Sequence, residues 1–149
     1  IDDIEGEISV IRLSHSGARV AMIIDGHVYI AAVAQSSSGD KRIVNAREVG
    51  PEVSGSALSL DWNADGSLIV GTSSSQSPVW RIEQDGSSAS TMPTGNITAP
   101  VVAVATSPTK LFITDSHAML ELPSTVMDET NWREVSGLQG RRSSPIVSN

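Results

Sequence analysis

One pattern recurs along this chain and restricts its fold more than any other feature. "ISVIRLSHSGARVAMI" (residues 8–23), "ALSLDWNADGSLIVGT" (57–72) and "VVAVATSPTKLFITD" (101–115) each begin with alternating apolar residues. Each enters a small polar turn and leaves through a second apolar run. Gly17 and Gly66 lie 49 residues apart, and Ala64 and Pro108, at matching turn positions, 44 apart. A second pair of segments keeps the same beat. "IIDGHVYI" (23–30) and "ITDSHAML" (113–120) align Asp25 with Asp115, His27 with His117 and Tyr29 with Met119, 90 residues on. Between them "SPVWRI" (77–82) supplies the middle copy, with Trp80 in the place of Tyr29 and Met119. At the end "SSPIVSN" (143–149) echoes "TAPVVAV" (98–104), 45 residues earlier.

Within each copy the apolar period is two, which is the period of a strand. Leu58, Leu60 and Trp62 alternate cleanly, Val102 and Val104 continue the pattern, and Ile8, Val10 and Leu13 follow it loosely. Leu58, Leu60, Val102 and Val104 are therefore predicted to lie buried on inner strands. Asp25-Gly26, Asp65-Gly66 and Asp85-Gly86 are hairpin signals, since a type I′ turn needs positive φ at both central residues. No segment holds a helical stripe; "VMDETNWREV" comes nearest and fits a strand after a loop equally well.

Repeats of this length, each with about four short strands, are the signature of a β-propeller blade. The rival is a β-sandwich with coincidental strand spacing. The expected fold is all-β: a partial propeller of about three four-stranded antiparallel blades plus the first strand of a fourth. It forms one domain over 1–149, with blades near 7–54, 55–98 and 99–142 and a terminal strand at 143–149. Propellers close with four to eight blades, so three and a fraction suggest one part of a larger ring. A chain beginning at Ile1 agrees with a piece trimmed from something longer. Exposed end faces would then favour self-association, most simply a homodimer of two half-rings.

Composition excludes several classes of function. The net charge is -7, which repels phosphate backbones and argues against nucleic acid as a partner. Cysteine is absent, so disulfide frameworks and thiolate metal sites are excluded. No H-E-x-x-H, calcium loop, G-x-S-x-G elbow or phosphate-binding glycine loop occurs. The expectation is no enzyme, no catalytic residue, no metal and no cofactor. His27 and His117 sit in different blades and read as half-exposed strand residues. Asp25, Asp65, Asp85 and Asp115 sit at turns, where their side chains can bond nearby backbone amides. Trp62 and Trp80 are expected to pack between blades. Three residues remain as candidates for partner contact: Arg141 and Arg142, a small basic patch in "GRRSS", and Trp132, which follows a polar loop. The plainer readings are a solvated loop for the arginines and core for the indole.

The wording of these stretches, with "GHVYIAAV", "PVWRI" and the terminal "WREVSGLQGRRSSPIVSN", resembles the C-terminal propeller domain of LpqB-type lipoproteins of actinobacteria. The likeness runs along nearly the whole chain and carries no catalytic signature. It implies a lipid-anchored protein on the extracytoplasmic side of the cell membrane, with an N-terminal lipidated Cys and further domains preceding this segment. It also implies a protein-interaction role in signal transduction, with the extracellular region of the MtrB sensor histidine kinase of the MtrA–MtrB two-component system as partner. A small-molecule or glycan-binding propeller is the alternative. A hydrolase with catalytic residues on other blades is the more distant one.

Overall fold

The computed structural model describes residues 5–50, 53, 55–92, 99–107, 110–115, 119–123 and 133–134. Sheet 1 contains β1 (Ile8–Leu13), β2 (Arg19–Ile24), β3 (His27–Gln35) and β4 (Lys41–Glu48). Sheet 2 contains β5 (Ala57–Trp62), β6 (Leu68–Thr72), β7 (Val79–Ile82) and β8 (Ala89–Thr91). Sheet 3 contains β9 (Ala103–Thr106), β10 (Lys110–Thr114), β11 (Met119–Pro123) and β12 (Arg133–Glu134). Each is an antiparallel meander in chain order, and no helix occurs among the described residues. "VMDETNWREV" contributes β12 at its Arg133 and Glu134. The terminal segment 143–149 lies outside the described residues.

The three sheets stack face to face, with β1, β5 and β9 side by side at one edge of the stack. Two apolar layers hold the stack together. Ala21, Ile23, Val28, Ile30 and Val49 of sheet 1 pack against Leu60, Trp62, Leu68, Val70, Trp80 and Ile82 of sheet 2. The opposite face of sheet 2, with Ile69, Val79 and Met92, packs against Val101, Val104, Leu111, Ile113 and Leu120. Strand β6 is therefore buried at every residue, because its alternating side chains enter two different interfaces. This accounts for its continuous apolar run, Leu-Ile-Val, where a half-exposed strand would alternate.

Pairing shows how closely the sheets repeat. Leu13 pairs with Val20, Trp62 with Leu68 and Thr106 with Leu111, each just before the first turn. The register of sheet 1 shifts between Ile8 and Val10, and that of sheet 2 between Ala57 and Ser59. Ser9 and Leu58 are thus the extra residues of equivalent bulges, and Val102 holds the same place ahead of β9. A bulge residue leaves the ladder and turns its side chain aside. This corrects the expected burial of the four inner-strand residues. Leu60 and Val104 are buried, but Leu58 is only half-buried and Val102 is 50% exposed. The bulge at Ser9 likewise puts Ile8 on the exposed face with Leu13, whereas Val10 points to the joint with sheet 2.

Register also corrects the longer-range alignment. Tyr29 pairs with Met22, Trp80 with Val70 and Leu120 with Ile113, so Leu120, not Met119, is the counterpart of Tyr29 and Trp80. The spacing is 91 residues, one more than the sequence match gave. Asp25 and Asp115 accordingly differ in role: Asp25 is an exposed turn residue, whereas Asp115 is buried.

The hairpin turns fall into two kinds. Asp25 and Gly26 have φ of 50° and 82°, the pair of positive values a type I′ turn requires. Asp65-Gly66 and Asp85-Gly86 do not follow it, since only the glycine has positive φ. There the glycine N–H donates back three residues, Gly66 to Asn63 O and Gly86 to Glu83 O, as Gly17 does to Ser14 O. These are type I-like turns closed by a left-handed glycine, the usual form of slightly longer hairpin loops.

Candidate functional site

Several polar side chains bridge the joints between sheets. At the joint of sheets 1 and 2, the Trp62 indole Nε1–H donates to Arg12 O at 3.0 Å. The Arg19 guanidinium lies 4.9 Å from the centre of the Trp62 ring and donates to Gln84 O. His15 Nε2 is 3.3 Å from Trp62 O. A cleft of about 240 Å³ opens here, with Ser14, His15, Arg19, Trp62, Asp65 and Gln84 among its lining. At the joint of sheets 2 and 3, Asp61 Oδ2 accepts the Thr106 N–H at 2.9 Å, and the Thr106 hydroxyl donates to Trp62 O at 2.6 Å. Deeper in the same joint, the buried Ser59 hydroxyl donates to Val101 O at 3.1 Å.

The ionisable groups are engaged in the same framework. Burial pushes the Asp65 carboxyl up, but hydrogen bonds from Ser67 and the Arg81 guanidinium outweigh it and hold the group below its usual range. Arg81 reaches Asp65 Oδ2 at 2.7 Å and Glu83 Oε1 at 3.2 Å. Burial works against its charge, but these two carboxylates raise its pKa overall. Asp85 is held low by the Ser87 hydroxyl and amide. His27 Nδ1 lies 3.0 Å from Glu48 Oε1 on the exposed end of sheet 1. Among the described residues no group of three His, Asp or Glu side chains converges as a metal site would require.

A second hollow lies along the inner strands. It has a volume of about 200 Å³ and is lined by Val10, Arg12, Leu58, Leu60, Val102 and Val104, among others. This is where a propeller's central channel runs. Leu58 and Val102 reach it from the two equivalent bulge positions, a placement that the period-two pattern could not show. Trp62 and Trp80 take the interface positions expected of them, at 1% and 9% exposure. His117 and the three residues proposed for partner contact, Trp132, Arg141 and Arg142, lie outside the described residues.

Comparison with known proteins assigns this architecture. The family model described as "Lipoprotein LpqB beta-propeller domain" matches residues 1–148. The chain is 49% identical over 140 residues to Lipoprotein LpqB of Corynebacterium diphtheriae, covering 94% of this chain and 24% of that protein. It is 40% identical over 148 residues to Lipoprotein LpqB of Corynebacterium jeikeium, covering 99% of this chain and 25% of that protein. Against the Mycobacterium tuberculosis Lipoprotein LpqB the identity is 28% over 142 residues. The chain therefore spans about a quarter of the length of the curated relatives it matches. The three sheets are blades, and this chain belongs to the β-propeller domain family of LpqB lipoproteins.

Proposed function

We propose that this domain is a non-enzymatic protein-interaction module of a lipid-anchored, extracytoplasmic protein that modulates a sensor histidine kinase of the MtrB type. The observation that carries the reading is the use to which the described polar groups are put. His15, Arg19, Asp61, Asp65 and Arg81 each bond to a neighbouring strand, turn or sheet, which builds a rigid stack, and among the described residues no nucleophile, base and acid are aligned. A rigid stack of blades presents edges and loop clusters of fixed shape, which suits recognition of another protein. The relatives' name supports a membrane-attached lipoprotein. Arg141, Arg142 and Trp132 remain proposed contact residues on the strength of the sequence.

The small-molecule alternative rests on the inner-strand hollow. Among the described residues its volume is about 200 Å³, beside roughly 300–1,000 Å³ for typical ligand sites. Co-purification of the full-length protein with the kinase's extracellular domain tests the proposal. Retention of the two in one complex is the expected result. Loss of the pair at micromolar concentrations, with a glycan or small molecule retained instead, would replace the reading with the alternative.

A further inference from the structure

We propose that the outer edge of β4 accepts an extended, acidic segment of another protein as an added strand of sheet 1. The proposal rests on the reading of the domain as an interaction module, though not on which protein is the partner.

The three outer strands are unequal. Among the described residues β4 has 8 residues, whereas β8 has 3 and β12 has 2. Its hairpin also outgrows the sheet. Pairing of β2 with β3 ends at Arg19 and Ala32, but β3 and β4 continue together to Gln35 and Lys41. Beyond the sheet the chain is thus a two-stranded ribbon whose outer side is β4. Ser36 N–H donates to Asp40 O across the hairpin turn. Hydrogen-bonded and non-bonded pairs alternate along an antiparallel ladder, so the N–H and C=O of Lys41 and Ile43 point away from β3 to the open edge. Among the described residues β4 ends the sheet, with no strand on its far side. Asn45, at φ 56°, stands at the register shift between β3 and β4 and ends the straight part of the edge. An added strand would pair along residues 41–44.

Charge selects the occupant. Five other cations make contacts: Arg81 and Lys110 form ion pairs, Arg19 and Arg47 donate to carbonyls of sheet 2, and Arg12 donates to Ile11 O. Lys41 and Arg42 are both exposed and make no such contact. Two uncompensated positive charges flank the free backbone groups on a chain whose net charge is -7. A second β4 paired along the same residues 41–44 would bring no acidic residue to Lys41 or Arg42 and would double the positive charge of the ribbon, and like charges across a ladder destabilise it. Charged side chains on an edge strand discourage indiscriminate pairing. Here they repel a copy of the same strand and favour one carrying Asp or Glu, so repulsion and attraction together give selectivity. Main-chain bonds would supply affinity and the flanking charges direction, as in strand addition generally.

The test uses the full-length protein and two synthetic dodecapeptides, one alternating Glu with Val and Thr, the other carrying Lys in place of Glu. The Glu peptide is expected to bind and to protect the amides of Lys41 and Ile43 from hydrogen exchange; the Lys peptide is not. Lys41→Pro removes the outward donor at an exposed position whose N–H does not bond to β3, so the fold should persist, as an unchanged melting temperature would verify. It should weaken Glu-peptide binding by about tenfold or more, and Arg42→Glu should weaken it independently. Equal binding of both peptides, binding that leaves the two amides unprotected, or an unaltered affinity in Lys41→Pro would each overturn the proposal. So would failure of the Glu peptide to bind at millimolar concentration. None of these results bears on co-purification with the kinase domain.

Discussion

Leu60 and Trp62 of the second blade and Ile11 and Leu13 of the first hold the same register positions, yet their surroundings differ. Leu60 and Trp62 are each 1% exposed; Ile11 is 48% and Leu13 61% exposed. All four follow the same turn-based register on an innermost strand. The difference lies in the neighbour. Blade 2 sets this face against blade 1, whose Ala21, Ile23, Val28 and Ile30 cover it. On the corresponding face of sheet 1, Ile11 and Leu13 meet solvent, while their ladder partners Met22 and Val20 are buried in a smaller cluster with Ile24 and Ala31. The repeat thus encodes a docking face in every blade, and burial follows from what occupies the face.

The largest expected effect is at Trp62. Trp62→Ala would remove a fully buried indole, its bond to Arg12 O and the surface on which Arg19 rests. Denaturant unfolding is expected to show a loss of about 3–5 kcal/mol, the usual range for such truncations. A loss below about 1 kcal/mol would break the comparison, because Trp62 would then behave as an exposed residue does.

Gly71 sharpens it from the other joint. Its counterpart in blade 1 is Ile23, which packs against blade 2. Between blades 2 and 3 there is no such room: a Cβ on Gly71 would lie 2.4 Å from Ser59 Oγ and 2.7 Å from Val101 O. Gly71→Ala should cost about 1–3 kcal/mol through overpacking, read by the same unfolding assay. A neutral outcome would show that the second joint is as yielding as the first.

Asp65 tests the electrostatic part of blade 2. Its folded pKa is depressed below the ordinary 3.8, so the unfolded state binds the proton more readily. The stabilisation is present above that value and lost as pH falls through the folded pKa. Asp65 is half exposed, and solvent screens its pairing with Arg81, so Asp65→Asn should cost less than about 1 kcal/mol at neutral pH. The gap between variant and parent should narrow in melts as pH falls below 3.8; a gap that does not change with pH there would assign the effect to packing. Smallest of all is Leu13→Ala, expected to change stability by less than about 0.5 kcal/mol, as surface substitutions do.

Much of this architecture was legible because repeats print the same physics several times. The turn positions of Gly17 and Gly66, the apolar runs of β2, β6 and β10, and the interface roles of Trp62 and Trp80 all follow from alternation and spacing. The bulges were not legible. One extra residue at Ser9 or Leu58 changes the face of every residue before it, and a short apolar run looks the same on either side of such a slip. Asp115 was read as a turn residue because its resemblance to Asp25 is local, whereas its burial depends on register across β10. The candidate edge on β4 was also invisible. "KRIVNARE" reads as an ordinary strand, and the absence of a neighbour among the described residues for its outer backbone groups is a property of the assembled sheet.

Amide hydrogen exchange across the described strands tests the central claim, that position between neighbours rather than apolar content sets local stability. Buried, doubly covered elements open only with global unfolding, whereas edges open locally. The account predicts that the amides of β6, buried at every residue, exchange at the slowest rate, and that the amides of β4 at Lys41 and Ile43 exchange fastest within their strand. Equal protection of β4 and β6 would contradict it.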